Sequence, residues 1–168
     1  MKAKLLINGK ELEVEISEEE LKKLEAKQKN KIGYERVGEN NTFWYDDGTG
    51  TVGSDYSLSD SEIDRMYDAA NYYSDFDVAI NNARADKLMR QLRRFAVEHR
   101  EKELNWISAE YKYFIQFNYE TNEISTDWWS CFREFGTIFF DSEETAELAI
   151  ETFRDELLWY FTEYEDSL

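Results

Sequence analysis

Two long amphipathic segments, each preceded by a short aromatic segment, constrain the fold of this chain more than any other feature. Tyr72–Asp75 precedes a helical pattern over about 75–98, and Phe139–Ser142 precedes another over about 143–164. In both places a Ser or Asp stands where a helix N-cap belongs. The chain contains no proline that would interrupt either pattern. The sequence therefore predicts two long helices, each of which follows a strand.

The apolar faces of the two helices follow from their 3.6-residue spacing. Leu148 and Trp159 fall outside the second apolar face, and we expect both to be exposed. The first face contains Val78, Ala85, Met89, Leu92 and Ala96, and the second contains Ala146, Ala149, Ile150, Phe153, Leu157, Tyr160 and Phe161.

Three short aromatic segments before each helix are typical of strands. We interpret the chain as an α+β protein in which two strand-strand-strand-helix units, 34–102 and 103–168, form a two-layer sheet/helix domain. Two unrelated meanders would give a similar pattern, so the internal repeat remains one of two alternatives. The predicted strands are 42–45, one near 51–52, 71–73, 113–119, 123–129 and 136–140, and a loop is predicted at 55–68.

The N-terminus has the pattern of a small appendage. Leu5–Ile7 and Leu12–Ile16 flank Asn8-Gly9, which is a strong signal for a two-residue hairpin turn. Ser17 and Glu20 have the spacing of a capping box, which predicts that a short helix begins after Ser17. We expect a β-hairpin and helix at 1–28, a linker at 29–33, and the main α+β domain at 34–168.

The net charge of −17 restricts the partners of the chain. Nucleic acids and anionic membranes are disfavoured because binding to them depends on cations that neutralise phosphates. A basic protein partner is favoured through long-range steering, although simple solubility would explain the same charge. The single cysteine, and the absence of a signal peptide or an apolar run of roughly 20 residues, lead us to expect a cytoplasmic location.

Four acids of the second helix follow one another at i+4, about 6 Å apart along the axis. Such a row could imitate the phosphates of a nucleic acid, and the alternative is an ordinary solvated helix face. Further acids lie in the turn at 46–47 and in the loop at 55–68, where the spacing does not fit a calcium loop. The predicted partner-binding residues are Glu143, Glu147, Glu151, Asp155, Asp46, Asp47, Asp60, Asp64 and Trp159.

The sequence predicts no catalytic, cofactor-binding or metal-binding residue. His99 and Cys131 stand in no nucleophile motif, and no glycine loop of a phosphate-binding type is present. The segment 84–94 is basic. It either bonds to acids of the same chain or receives the acidic face of a second copy, and on the second interpretation we expect a dimer.

Five stretches carry a resemblance to known proteins, and they are 33–37, 71–74, 92–95, 112–115 and 135–146. They resemble small acidic proteins of unknown function that phages and prophages of Gram-positive bacteria encode, which implies a bacterial host. The resemblance covers about 33–165, and the N-terminal unit is a variable addition to it. Phage accessory proteins of this size and acidity include anti-CRISPR proteins, some of which mimic nucleic acid.

The resemblance and the charge together lead to one functional hypothesis. We expect a non-enzymatic, phage-encoded acidic inhibitor that binds a basic nucleic-acid-binding host protein, most concretely a CRISPR effector nuclease, by nucleic-acid mimicry. The first alternative is a homo-oligomeric structural or assembly phage protein. The second is a metal-dependent nuclease built on the clustered acids.

Overall fold

The computed structural model describes residues 2–7, 10–15, 17, 32–38, 41–56 and 58–164. Consecutive strands form antiparallel pairs and consecutive helices follow them along these residues, which confirms the predicted α+β class. The elements are β1 (Lys2–Ile7), β2 (Lys10–Glu15), β3 (Phe43–Asp46), β4 (Val52–Asp55), α1 (Asp60–Asp68), α2 (Phe76–Glu98), β5 (Lys112–Asn118), β6 (Glu123–Trp129), α3 (Glu143–Thr152), α4 (Arg154–Trp159) and a π-helical turn at Tyr160–Tyr164.

The chain divides into two compact units. The first contains Met1–Trp44 and Ser54–Phe76, and the second contains Tyr45–Gly53 and Asp77–Leu168. β3 and β4 form one two-stranded sheet, and its hairpin tip belongs to the second unit.

The predicted N-terminal hairpin is present. β1 and β2 pair antiparallel, with Leu5 opposite Leu12 and Ile7 opposite Lys10. Two residues therefore connect the strands, which is the loop length that an Asn-Gly turn favours. The conformation of that turn, the predicted helix at 18–28 and most of the linker at 29–33 lie outside the described residues.

The first unit is built on aromatic side chains. The Phe43 and Tyr72 rings stack 4.5 Å apart, and both side chains are almost completely buried. Trp44 and Tyr73 exchange two backbone hydrogen bonds of 2.9 Å, which tie the start of β3 to the residues before α2. The Tyr72 hydroxyl accepts a hydrogen bond from the Val37 backbone N–H.

The second unit contains the main hydrophobic core. β5 and β6 pair antiparallel from Lys112↔Trp129 to Asn118↔Glu123, and α2 and α3 supply the helical part of the core. Alanines of α3 are fully buried, as the sequence predicted for this face. The buried core residues are Leu88, Leu92, Phe95, Ala96, Phe140, Ala146, Ala149, Ile150 and Leu157.

The third strand of each predicted strand-strand-strand-helix unit is shorter than expected. The segments 71–73 and 136–140 each pair through one residue only, and those residues are Tyr73 and Phe140. Each pairs antiparallel with the first strand of its predicted unit, immediately before a helix. The two predicted units therefore share the same order of pairing, although their third strands are reduced to single bridges.

Two predicted elements were wrong in outline. The expected loop at 55–68 contains α1, whose start has a Ser59–Glu62 capping box. The capping box and the short apolar period of Ile63 and Met66, both half-buried, indicate this helix, although none of its side chains is fully buried. The helix expected over 143–164 is interrupted at Phe153, whose φ of −114° and ψ of 20° separate α3 from α4. No proline or glycine marks this break in the sequence.

Two buried polar side chains fasten loops to the second unit. The Lys112 ammonium donates hydrogen bonds to the carbonyl oxygens of Ser108, Glu110 and Ser130 at 2.7–3.2 Å. Asp141 accepts hydrogen bonds from the backbone N–H groups of Glu101 and Lys102 at 2.8 and 3.0 Å. These contacts fix the segment after α2 and the segment between β6 and α3.

The Leu88→Ala substitution should test the position of the core. Leu88 is 1% exposed, so its truncation leaves a cavity, and we expect a loss of about 2–5 kcal/mol in the free energy of unfolding. Leu148→Ala is the matched control because Leu148 is 45% exposed and should lose less than about 1 kcal/mol. Urea unfolding followed by circular dichroism measures both, and equal losses would contradict the assigned core.

Candidate acidic interface

The acidic row depends on how α3 begins. The Ser142 hydroxyl accepts a hydrogen bond from the Thr145 backbone N–H at 3.1 Å, which caps the helix. Ala146 and Ala149 then face the core, and the opposite face is left to solvent. Because α3 contains four acids and no base, every charged side chain on its exposed face is acidic.

Glu143, Glu147 and Glu151 lie exposed along this face, as predicted. A rise of 1.5 Å per residue spaces them about 6 Å apart along the axis. Among the described residues none of the three forms a salt bridge, and Glu143 accepts only a long 3.4 Å hydrogen bond from the Thr126 hydroxyl. We call these three residues the α3 acidic face. Its charge is not neutralised by a cation within the part of the chain described.

Asp155 is exposed, as its place in the predicted row requires, but it lies after the break at Phe153, in α4. Together with Glu151 it lines a cavity of about 800 Å³, and Arg84 and Lys87 line the same cavity. The inner end of the predicted row, Glu151 with Asp155, therefore lies near cations, although neither acid forms a salt bridge among the described residues.

The expectation that Trp159 is exposed was wrong, since its residual exposure is 7%. Its ring lies 3.8 Å from the Arg84 guanidinium carbon and 5.6 Å from the Tyr164 ring. The predicted apolar period continues past Phe153, since Leu157 is buried and Tyr160 and Phe161 pack against the same core. Trp159 is buried in addition to this face because the Arg84 guanidinium and the Tyr164 ring contact it. Trp159 is thus a packing residue, whereas Leu148 is exposed as predicted.

The acids of the hairpin turn are occupied by local contacts. The Asp46 side chain is only 10% exposed and lies 3.7 Å from the Arg90 guanidinium, so it is not the open contact residue that was predicted. Asp47 remains exposed. The Thr51 hydroxyl, and then the Thr49 hydroxyl and N–H, donate hydrogen bonds that lower the pKa of Asp47 to about 2.

The acids of the predicted 55–68 loop lie on α1, in the first unit. Asp60 and Asp64 are both exposed, and Asp64 pairs with Arg36 at 2.6 Å. This ion pair raises the pKa of Arg36, chiefly through the hydrogen bond from its guanidinium to Asp64. The hydrogen bond from the Ser59 hydroxyl lowers the pKa of Glu62 in the capping box. Much of the acidity of α1 therefore serves local structure.

The basic segment of α2 bonds within the chain. Arg84 contacts Glu156 at 2.8 Å, Arg90 contacts Asp46, and Arg94 contacts Glu98. These pairs agree with the first of the two interpretations of this segment. The predicted dimer stays a prediction.

The clustered acids do not converge on a point. Among the residues described, no three His, Cys, Asp or Glu side chains are placed so that they could hold a metal ion. His99 stacks on Phe95 with ring centroids 3.8 Å apart, and Cys131 is an exposed free thiol. Among the described residues, neither side chain contacts a partner with which it would form a pair of nucleophile and base.

Sequence reasoning missed a basic and aromatic groove in the second unit. Its arginines are Arg93, Arg100 and Arg133. Arg133 is distant in sequence from the other two and lies in a loop without periodicity. The one available signal was the pair of exposed aromatics Phe132 and Phe135 on either side of Arg133.

Comparisons with known proteins add no constraint. No family model matches the chain, and neither curated proteins nor solved structures gave a match. None of the helices found in the described residues has the length and apolarity needed to cross a bilayer.

The pKa of Asp47 gives a test of the hairpin turn. The pKa of Asp47 is about 2 in the folded protein, below its ordinary value of 3.8. The Asp47 carboxylate therefore stabilises the fold fully above pH 3.8, and this contribution is lost as the pH falls toward 2. Thr51→Val should raise the Asp47 pKa toward 3.8, measured by NMR titration of its carboxyl carbon. Thr152→Val, a remote exposed threonine, should leave it unchanged. A midpoint near 3.8 in the parent protein would contradict the turn geometry.

Proposed function

We propose that this chain is an acidic, non-enzymatic inhibitor that binds a basic nucleic-acid-binding host protein through the α3 acidic face. The supporting observation is that Glu143, Glu147 and Glu151 are exposed in one row without a cationic partner among the described residues. These carboxylates form a row with about 6 Å spacing, which resembles the series of negative charges along a nucleic-acid backbone. A protein groove that normally binds phosphates would therefore attract this row.

The row is not what folding alone would select. Like charges at i and i+4 destabilise a helix by roughly 0.2–0.5 kcal/mol per pair. Acids in the first turn of a helix interact favourably with the helix dipole. Glu151 lies in the last turn, where a negative charge interacts unfavourably with the dipole. A basic residue at position 147 would have replaced both repulsions in the row by attractions. The presence of three acids in one row, with no Lys or Arg in α3, therefore favours a role in binding.

An apolar contact is available beside the charges. Leu148 follows Glu147 directly and is 45% exposed, so a partner that reaches the row would cover it. Charged rim contacts mainly accelerate association, whereas a buried apolar anchor slows dissociation. The most concrete partner remains a CRISPR effector nuclease of the bacterial host, whose nucleic-acid channel is basic. This proposal agrees with the resemblance to phage and prophage proteins.

The combined substitution Glu143→Gln, Glu147→Gln and Glu151→Gln tests the proposal. Because the three side chains lie on the solvent face, the melting temperature should hold or rise, since the repulsion within α3 is removed. The association rate constant with a purified, guide-loaded CRISPR effector nuclease should fall roughly 3–10-fold at low salt. Biolayer interferometry at low and high salt measures this rate.

The matched control changes the net charge by the same amount elsewhere. Glu120→Gln, Glu123→Gln and Glu163→Gln remove three exposed carboxylates of the second unit outside α3. This control should slow association much less than the α3 variant. Equal rates for the two variants would show that only net charge matters, and absence of binding by the parent protein would remove this effector as the partner.

A further inference from the structure

The second unit contains a groove of opposite character to the α3 acidic face. One wall is the C-terminal part of α2 with Arg93 and Val97, followed by Arg100, and the other is the 133–139 segment. The groove encloses a cavity of about 370 Å³, and Trp106 and Phe139, whose ring centroids are 4.9 Å apart, line it. A neighbouring cavity of about 500 Å³ shares Arg93 and Arg133 with it.

The arginines of this groove differ from the others on α2. Within the described chain, Arg93 and Arg100 form no salt bridge or side-chain hydrogen bond, whereas Arg90 and Arg94 are both paired. Arg133 lies 5.5 Å over the Trp106 ring and also lacks a carboxylate partner among these residues. Three guanidinium groups thus line the two cavities without a salt bridge among the described residues, although the Glu134 carboxylate also lines the second cavity.

Two acids lie at or near the groove. Glu98 pairs with Arg94, and Glu134, which lines the second cavity, accepts a hydrogen bond from the Thr137 hydroxyl at 3.4 Å. With three arginines and one glutamate in their lining, the two cavities keep a local positive charge within a chain whose net charge is −17.

An exposed aromatic ring lies at the mouth of the connected cavities. Phe135 is fully exposed and lines the second cavity with Arg93 and Arg133. Gly136 follows it with a φ of 84°, a left-handed conformation that favours glycine, so the backbone turns sharply beside the ring. A fully exposed Phe beside unpaired guanidiniums has no evident folding role, and it offers a planar ligand a stacking surface.

We propose that this groove binds a nucleoside phosphate. The base would stack against Phe135 or Trp106, and the phosphate would accept hydrogen bonds from Arg93, Arg100 and Arg133, whose planar forks match phosphate oxygens. A cavity of about 370 Å³ lies within the usual range for small-ligand sites. A mononucleotide is favoured over a long nucleic acid because the net charge of −17 repels a polyanion far more than a ligand of charge about −2.

Isothermal titration calorimetry with AMP and UMP tests the proposal, with adenosine, inorganic phosphate and a thymidine oligonucleotide as comparison ligands. We expect AMP or UMP to bind with a dissociation constant below about 1 mM. Adenosine and phosphate alone should each bind at least about fivefold more weakly, since each lacks one half of the recognition. The intact full-length chain is used throughout.

Three substitutions assign the binding to the groove. Arg93→Gln and Arg133→Gln should each weaken nucleotide binding at least about fivefold, and Phe135→Ser should weaken it without lowering the melting temperature because the ring is exposed. Arg94→Gln is the matched control, since it removes a neighbouring α2 charge that pairs with Glu98, and it should leave the affinity unchanged.

Four outcomes would overturn the proposal. They are no AMP or UMP binding at millimolar concentration, phosphate binding as tight as that of the nucleotides, oligonucleotide binding far tighter than mononucleotide binding, or an equal loss on Arg94→Gln. The third would indicate a single-stranded nucleic acid as the ligand. Failure here leaves the α3 proposal intact, because none of these residues belongs to the α3 acidic face.

Discussion

The backbone pair between Tyr113 and Phe140 is the interaction on which the rest of the second unit depends. Its two hydrogen bonds, of 3.0 and 2.7 Å, attach the residue before Asp141 to the β5–β6 sheet. Asp141 then binds the loop after α2, and Ser142 caps α3. Three consecutive residues therefore join a strand, a loop and a helix. Since Phe140 is fixed, the phase of α3 is fixed, with alanines toward the core and glutamates toward solvent.

The charges of the chain are arranged in three distinct ways. Acids of the hairpin turn and of α1 accept local hydrogen bonds or pair with arginines, as Asp47 and Asp64 do. Arg84 joins a carboxylate and an indole, since it pairs with Glu156 and lies over Trp159. The α3 acidic face has neither kind of partner among the described residues. A surface charge without a partner contributes little to stability, so its position is free to serve binding.

The sequence predicted those features that depend on local patterns. The strand 123–129, the start of α2 and the buried alanines of α3 each follow from periodicity, turn residues or capping residues. The break at Phe153 has no such mark, and the burial of Trp159 depends in part on Arg84, which lies far away in the sequence. The helix α1 is marked locally by the Ser59–Glu62 capping box and by Ile63 and Met66 three residues apart, and the prediction of a loop there missed both marks. The arginine groove is assembled from residues 40 positions apart, as Arg93 and Arg133 show, which no local pattern encodes.

Two surfaces of opposite sign in one unit are compatible because they act over different distances. At about 0.1 M salt, exposed charges are screened beyond about 10 Å, so the net charge of −17 governs only the approach of large, charged partners. Hydrogen bonds from Arg93 or Arg133 act at contact and are little affected by distant carboxylates. A basic protein would therefore be guided by the field of the whole chain, whereas a small anion that diffuses to the groove would meet mainly the arginines that line it. Because of the same screening, the salt concentration distinguishes the two surfaces. Added salt slows association with a large basic partner more than it weakens the binding of a small ligand held by direct hydrogen bonds.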